Sequence, residues 1–191
     1  MDKLHDYKLL LASKSPRRKQ LISMLGFEVN VVDVEVNETV DDFVSSSEIP
    51  ALLAQRKSLG YNKQLSDREV LITADTLVVL NDDILGKPQS RQEAVEILSS
   101  LSGNKHQVYT GVCLRTAKET KVFTEKTEVY FRNLTINEIN YYLDNYNYLD
   151  KAGSYGIQEW IGMIGVERIE GDFYNVMGLP VARLYKEIIL L

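Results

Sequence analysis

The chain has 191 residues, of which 45% are hydrophobic and 26% are charged, and its formal net charge is −5. This balance is that of an ordinary globular domain, and an acidic chain without a basic stripe argues against a nucleic-acid binder. Cys113 is the only cysteine and there are only two histidines, which excludes an internal disulfide and a zinc centre rich in His or Cys. A bound metal would therefore need carboxylates, the ligands that magnesium or manganese takes.

The chain shows no sign of a membrane span or of secretion. No apolar run approaches the length that a membrane-crossing helix requires. Residues 1–6 are polar and lack the long apolar stretch and small-residue cleavage site of a signal peptide. With the lone cysteine, these features predict a cytoplasmic protein.

The first third of the chain predicts two strands and two helices. An apolar run over 7–12 predicts a buried strand, and Ser15-Pro16 behind it is typical of a helix start. Gly26 is a natural stop for that helix. Alternating apolar residues predict a strand over 27–36 with a bulge, and a second helix is predicted over 50–59. The polar segment 37–48 between them reads as a loop.

The rest of the chain continues the alternation. Strands are predicted over 70–74 and 77–80, on either side of Asp75-Thr76. Capping-box patterns at Ser90 and Thr135 each predict a helix start. Further strands are predicted over 107–115 and 121–131, and a final helix follows Pro180. Interleaved helices and strands predict an α/β architecture.

The segment Ser13-Lys14-Ser15-Pro16-Arg17-Arg18 is the first candidate for chemistry. It lies between a predicted strand and a predicted helix, and helix N-termini attract anions. Arginine suits bidentate phosphate contacts, so this segment is a candidate phosphate site. The alternative, a solvated helix start on the surface, stays equally open from the residues alone.

Asp75 is the second candidate. A carboxylate between two apolar runs is costly to bury without a partner. We therefore expect it at a strand end, facing a cleft, a metal or a cation. The alternative is a turn aspartate that bonds to nearby backbone N–H groups.

Other candidates are weaker when taken singly. Glu38, Lys57 and Lys87 each read as a solvated surface charge, although Gly86 and Pro88 restrict the backbone around Lys87. The segment 150–158 interleaves small and polar residues, which would let a ligand approach the backbone. Gln158 carries a donor and an acceptor and could read the edge of a base. The alternative is a structural loop with glycine at positive φ.

Taken together, these pieces resemble the Maf family of septum formation proteins over nearly the whole chain. Six motifs occur in the family's order: Leu11-Ala12-Ser13-Lys14-Ser15-Pro16-Arg17-Arg18, Ala74-Asp75-Thr76, Gly86-Lys87-Pro88, Leu101-Ser102-Gly103 with the segment 106–112, Asp150-Lys151-Ala152-Gly153-Ser154-Tyr155-Gly156-Ile157-Gln158, and Asn175-Val176-Met177-Gly178-Leu179-Pro180. The pattern departs at Glu159-Trp160, where the family more often has small residues.

The resemblance implies one domain over 1–191 with a mixed α/β sheet and two lobes around a nucleotide cleft, similar to inosine triphosphate pyrophosphatases. It also implies a homodimer that hydrolyses nucleoside triphosphates at the α–β bond with magnesium or manganese. The Ser-Pro-Arg-Arg start and the Gly-Ile-Gln segment resemble the dTTP/UTP branch of the family.

Site residues follow from the resemblance position by position. Asp75 matches the family's proposed general base, and Glu38 with Asp75 would hold the metal. Arg17, Thr76 and Gln158 match positions linked to substrate choice. The remaining matches line the triphosphate cleft: Ser13, Arg18, Glu38, Lys57 and Lys87.

Two alternatives stay open beside the pyrimidine nucleotide pyrophosphatase. The same chemistry could act on 7-methyl-GTP or on modified nucleotides. The protein could also be a regulator of cell division that binds a nucleotide without turnover, but a retained Asp75 would then only repel phosphate.

Overall fold

The structure is a computed structural model that describes residues 7–40 and 43–191. The polar N-terminal residues 1–6, and residues 41–42 of the loop predicted over 37–48, lie outside the described residues. The strands are β1 (Lys8–Leu11), β2 (Val29–Val31), β3 (Glu69–Leu80), β4 (Asp83–Leu85), β5 (Lys105–Arg115), β6 (Thr120–Phe131) and β7 (Val166–Glu170). The helices are α1 (Pro16–Met24), α2 (Ile49–Leu59), α3 (Arg91–Leu101), α4 (Ile136–Asn145), α5 (Trp160–Gly165), α6 (Phe173–Val176) and α7 (Val181–Ile189), with a 3-10 turn at Ala152–Ser154.

The seven strands form one mixed sheet in the order β2-β1-β3-β5-β6-β7, and β4 pairs with β3. β1 runs parallel to both β2 and β3, whereas β4 and β7 run antiparallel to β3 and β6. Three of the four residues of β1 are buried, as expected for a parallel strand covered on both faces. The predicted α/β class with a mixed sheet is confirmed. No helix in the described residues is long and apolar enough to cross a membrane.

The chain divides into two compact units, here called the first and second unit. The first unit contains the described residues up to Asp75 together with 110–125 and 178–191, and the second contains 76–109 and 126–177. A core around Leu10, Ala12, Leu65 and Leu71 lies in the first unit. The second unit has a larger core, which includes Val78, Leu98, Val129, Phe131, Tyr142 and Ile161. The single domain over 1–191 stays a prediction.

Local capping signals locate several helices correctly. The Thr135 hydroxyl accepts from the backbone N of Glu138 at 3.3 Å, and the Glu138 carboxylate accepts from the backbone N of Thr135 at 2.8 Å. Ser90 likewise accepts from the backbone N of Glu93, at 3.1 Å. Ser15 occupies the N-cap of α1, but its side chain makes no cap hydrogen bond. The predicted start at Pro16 is nevertheless confirmed.

Two strand predictions need correction. β3 runs unbroken through Asp75, so this residue lies inside a 12-residue strand rather than at a strand end or in a turn. The strand predicted over 27–36 spans only Val29–Val31. β1 ends at Leu11, and this short length explains why β2 is shorter than predicted. The backbone N of Val32 donates the last hydrogen bond between the two segments, to Leu11 O at 3.0 Å, and the residues after Val32 have no β1 residue to pair with.

Helix α2 lies unusually close to the sheet within the first unit. A Cβ added to Gly111 of β5 would lie 2.1 Å from the backbone C of Pro50, in the first turn of α2. Lys57 follows Pro50 by seven residues and lies on the same face of the helix. Between these two residues, the Ala54 carbonyl accepts a hydrogen bond from the Thr73 hydroxyl of β3 at 2.5 Å. A residue without a side chain at 111 therefore permits the contact between α2 and the strands.

Gly111→Ala should lower the free energy of unfolding by about 3 kcal/mol, since the new methyl group meets helix backbone that cannot rotate away. Gly86→Ala is the matched control, because a Cβ at Gly86 meets nothing within 4 Å, and its effect should stay within about 0.5 kcal/mol. Urea unfolding followed by circular dichroism measures both. Equal stability of the two variants would contradict the close approach of α2.

Candidate active site

Arg18, in the first turns of α1, is held by three oxygen atoms. Its Nε donates to Gly178 O at 2.8 Å, and its Nη1 donates to Ala74 O at 2.8 Å and to Ser13 Oγ at 3.3 Å. The Ser13 hydroxyl also accepts from the backbone N of Ser15 at 3.2 Å. The guanidinium of Arg18 is therefore fixed to the carbonyl that directly precedes Asp75.

The electrostatic surroundings of Arg18 are mixed. Burial of the guanidinium lowers the pKa of Arg18, while the carboxylates of Asp75 and Glu38 oppose that shift and Arg17 adds to it. Arginine stays protonated in proteins, so a permanent positive charge lies beside Asp75. Arg17, its neighbour in α1, is half-buried.

Lys57 lies between two carboxylates. Its Nζ is 2.6 Å from Asp75 Oδ1 and 2.9 Å from Glu38 Oε1. The side chains of Lys57 and Asp75 are each 14% exposed, whereas that of Glu38 is 59% exposed. The strand aspartate thus has the cation that its burial requires, and Glu38 joins the same cation from the solvent side.

The geometry of α2 and β3 explains why these side chains meet. Thr73 and Asp75 are two residues apart in β3, so they project from the same face of the strand. Ala54 and Lys57 are three apart in α2 and share one helix face. The Thr73–Ala54 hydrogen bond and the Asp75–Lys57 ion pair are therefore successive contacts between the same two elements.

The donor set fits a divalent cation that keeps most of its ligands from water and substrate. Glu38 and Asp75 both lie within hydrogen-bond distance of one Nζ, so their carboxylates are close together. The described residues contain no group of three or more His, Cys, Asp or Glu side chains arranged to hold a metal. Magnesium is commonly held by one or two carboxylates with substrate phosphates, which matches this pair.

The remaining predicted residues, Thr76, Lys87 and Gln158, belong to the second unit. Thr76 is half-buried in β3, while Lys87 and Gln158 are exposed. Their segments are connected through Gly153, whose N donates to Gly86 O at 3.1 Å. Gly153 has φ of 71°, and a Cβ there would lie 3.1 Å from the Val78 side chain.

Thus the structure gathers Ser13, Arg18, Glu38, Lys57 and Asp75 within the first unit. Within the second unit, Gly153 is bonded to Gly86, the neighbour of Lys87, and lies close to the Val78 side chain, two residues from Thr76. The functional roles of all nine predicted residues stay predictions.

Sequence reasoning missed the backbone acceptors of the site. The carbonyls of Ala74 and Gly178 hold Arg18. The helix predicted after Pro180 is confirmed, with Pro180 as the N-cap of α7. Sequence reasoning also missed Glu159, whose carboxylate contacts Tyr142 and Lys151. A charged residue directly after Gln158 was the available signal.

Comparison with known proteins identifies close relatives. The family model of the Maf-like proteins matches residues 8–190. A dTTP/UTP pyrophosphatase of Bacteroides fragilis strain ATCC 25285 is 50% identical over 186 residues, covering 97% of this chain and 96% of the relative. A dTTP/UTP pyrophosphatase of Parabacteroides distasonis is 50% identical over 190 residues, covering 98% of each chain. Among solved structures, the Ham1 protein of Staphylococcus aureus has a TM-score of 0.47 and 18% identity, over 94% of this chain and 99% of that one.

Lys57→Met should lower the free energy of unfolding by about 3 kcal/mol, because it removes the ion-pair partner of the mostly buried Asp75 carboxylate. Asp75→Asn in the same chain should recover part of that loss, since the unpaired charge is then gone. Chemical denaturation of both single variants and of the double variant gives the coupling energy.

Lys118→Met is the matched control, since Lys118 and Asp67 are 81% and 77% exposed and 3.8 Å apart. Its cost should stay below about 0.5 kcal/mol. Additive effects of Lys57→Met and Asp75→Asn would show that the ion pair does not stabilise the fold.

Proposed function

The chain belongs to the Maf family, and from this premise we propose that it hydrolyses nucleoside triphosphates to nucleoside monophosphates and pyrophosphate, with dTTP and UTP as its main substrates. Relatives named dTTP/UTP pyrophosphatase, half identical over 97–98% of the chain, support the reaction and the choice of base. Such an enzyme is a hydrolase of acid anhydrides.

The observation that carries the proposal is the position of Asp75. Its carboxylate is 14% exposed, lies on a continuous strand and has Lys57 at 2.6 Å. The anchored guanidinium of Arg18 is bonded to the preceding carbonyl. A regulator that only binds nucleotides gains nothing from a carboxylate beside phosphates, whereas a hydrolase needs a group that orients and deprotonates water.

The chemistry can be assigned to atoms of the chain. Lys57 donates to Asp75 Oδ1, which leaves Oδ2 to take a proton from the attacking water. The water oxygen bonds to the α-phosphorus, the bond to the bridging oxygen breaks, and pyrophosphate leaves with its electron pair. An ammonium group has three donors, so Lys57 can keep Asp75 while it contacts a phosphate.

Positive groups offset the charge of the triphosphate during this step. We assign Arg18, Lys57 and Lys87 to the β- and γ-phosphates, and Ser13 to the same end of the substrate. A magnesium or manganese ion held by Glu38 and Asp75 would polarise the phosphates and neutralise part of their charge. Arg18 would act mainly through its fixed charge, since its Nε and Nη1 are bonded to the protein.

We assign choice of the base to Gln158, with Arg17 and Thr76. Uracil and thymine present an acceptor oxygen next to a donor N–H, and the two ends of a glutamine amide match that pair. We further propose that the protein is a cytoplasmic homodimer and that it binds neither nucleic acid nor membrane. The acidic net charge of −5 argues against nucleic-acid binding.

A nucleotide panel with magnesium or manganese tests the reaction. Incubation of dTTP, UTP, CTP and 7-methyl-GTP in isotopically labelled water should give monophosphate and pyrophosphate from dTTP and UTP, with the label on the monophosphate. Diphosphate as main product would refute cleavage at the α–β bond. Fastest turnover of 7-methyl-GTP would favour the other branch, and tight binding without turnover would favour the regulator.

Asp75→Asn should lower kcat by about 10²-fold or more, because the amide cannot accept the proton of water. The substrate should still bind, since Arg18, Lys57 and Lys87 remain. Steady-state kinetics, calorimetric binding of dTTP and circular dichroism measure the three quantities. Asp144→Asn is the matched control, on an exposed ion pair with Arg91. Near-normal kcat in Asp75→Asn would remove this residue from catalysis.

Gln158→Ala should lower kcat/KM for dTTP and UTP more than it lowers kcat/KM for CTP. The ratio of kcat/KM for dTTP to that for CTP should therefore fall. The comparison variant is Gln92→Ala, whose glutamine pairs with Glu96 on the exposed face of α3. A uniform loss across dTTP, UTP and CTP would instead place Gln158 in general binding or folding.

A further inference from the structure

Glu159, the residue after Gln158, forms an ion pair with the buried Lys151 and a hydrogen bond with the buried Tyr142. Glu159 accepts a hydrogen bond from the Tyr142 hydroxyl on Oε2, and its Oε1 is 3.2 Å from Lys151 Nζ. Lys151 is only 5% exposed and Tyr142 is 0% exposed. Burying these groups is costly unless each finds a partner, and the mechanism above uses none of the three.

The same network holds the backbone of the segment that carries Gln158. The backbone N of Gly156 donates to the Tyr142 hydroxyl at 3.0 Å. Lys151 Nζ also donates to Asn147 O and to Asp150 Oδ1. Burial and the neighbouring Glu159 carboxylate raise the pKa of Tyr142, so the hydroxyl keeps the proton that it donates.

Gly156 brings Gln158 and Glu159 together. A Cβ at Gly156 would lie 2.8 Å from Glu159 Oε2 and 3.0 Å from Gln158 Nε2. Both side chains therefore lie against the same glycine, Gln158 with its Nε2 end and Glu159 with its carboxylate. A negative charge favours that end over the carbonyl end, because Nε2 carries the donor hydrogens.

The orientation of this amide decides what it can recognise. Thymine and uracil present an acceptor at position 4 beside a donor N–H, whereas cytosine presents a donor amine beside an acceptor nitrogen. Rotating a glutamine amide by half a turn exchanges its donor and acceptor, so a freely rotating Gln158 would suit both bases. Discrimination requires one fixed orientation.

We propose that Glu159, held by Lys151 and Tyr142, is a specificity-determining positioning residue that fixes the Gln158 amide for thymine and uracil. The proposal rests on the proposed function and names the source of its base choice. Glu159 is not among the residues assigned to the phosphates, so its effect is on KM and on the ratio between bases, and kcat for dTTP stays nearly constant.

Glu159→Gln tests the proposal, because it keeps the shape and the acceptor for Tyr142 but removes the charge. The ratio of kcat/KM for dTTP to that for dCTP should fall about tenfold, which corresponds to about 1.4 kcal/mol of lost discrimination. KM for dTTP should rise while kcat changes less than about twofold. Tyr142→Phe should lower the same ratio and speed hydrogen–deuterium exchange of the Gly156 amide.

Tyr130→Phe is the control, since its hydroxyl donates to Glu128 and Glu170 instead. Thermal melting of each variant separates loss of fold from loss of discrimination. If Tyr142→Phe melts near the assay temperature, the milder Glu159→Gln decides the matter. An unchanged dTTP to dCTP ratio in Glu159→Gln would overturn the proposal, as would a large fall in kcat with an unchanged ratio.

Failure of the proposed function gives a different result. If the wild-type protein does not cleave dTTP, dissociation constants of dTTP and dCTP measured by calorimetry replace the kinetic ratio. Tighter binding of dTTP that is lost in Glu159→Gln would support the positioning role without the enzyme. Equal binding of both nucleotides by the wild-type protein would overturn it.

Discussion

The close approach of helix α2 to strands β3 and β5 is the constraint on which the site in the first unit depends. Gly111 leaves no side chain between β5 and the first turn of the helix, and the Thr73 hydroxyl bonds the Ala54 carbonyl one turn later. The next contact along this line is Lys57 with Asp75. A bulkier residue at 111 would shift the whole helix and with it the ammonium group.

Charge alternation is the second organising feature. Arg18, Asp75, Lys57 and Glu38 follow one another as positive and negative groups, and each carboxylate has a cation nearby. Interactions between charges are stronger where water is scarce, so the half-buried members of this series fix one another. The arrangement also suits the proposed hydrolysis, in which a carboxylate accepts a proton and fixed cations offset the charge of the phosphates.

Sequence patterns within one helical turn predicted helix starts correctly. The wrong prediction for Asp75 arose because its partner is distant in the sequence. The Thr135 capping box needs only residues within one helical turn, so the start of α4 was predictable. Asp75 appeared to end a strand because a lone carboxylate is costly inside a sheet. Its cation, Lys57, comes from 18 residues upstream on another element, and no pattern in the sequence announces that contact.

In the candidate site, too, some features were predictable from the sequence and others required the structure. The predicted phosphate site at the start of α1 and the choice of Asp75 follow from residue chemistry, whereas the meeting of Glu38 and Lys57 with Asp75 required the structure. The unbroken course of β3 has a further consequence. Ladder hydrogen bonds hold the backbone on both sides of Asp75, so its carboxylate cannot be carried away by a moving loop, and side-chain rotation is its main freedom. In the proposed reaction, the backbone around Asp75 would therefore have little to reorganise, and the position of this carboxylate would be set by the sheet itself.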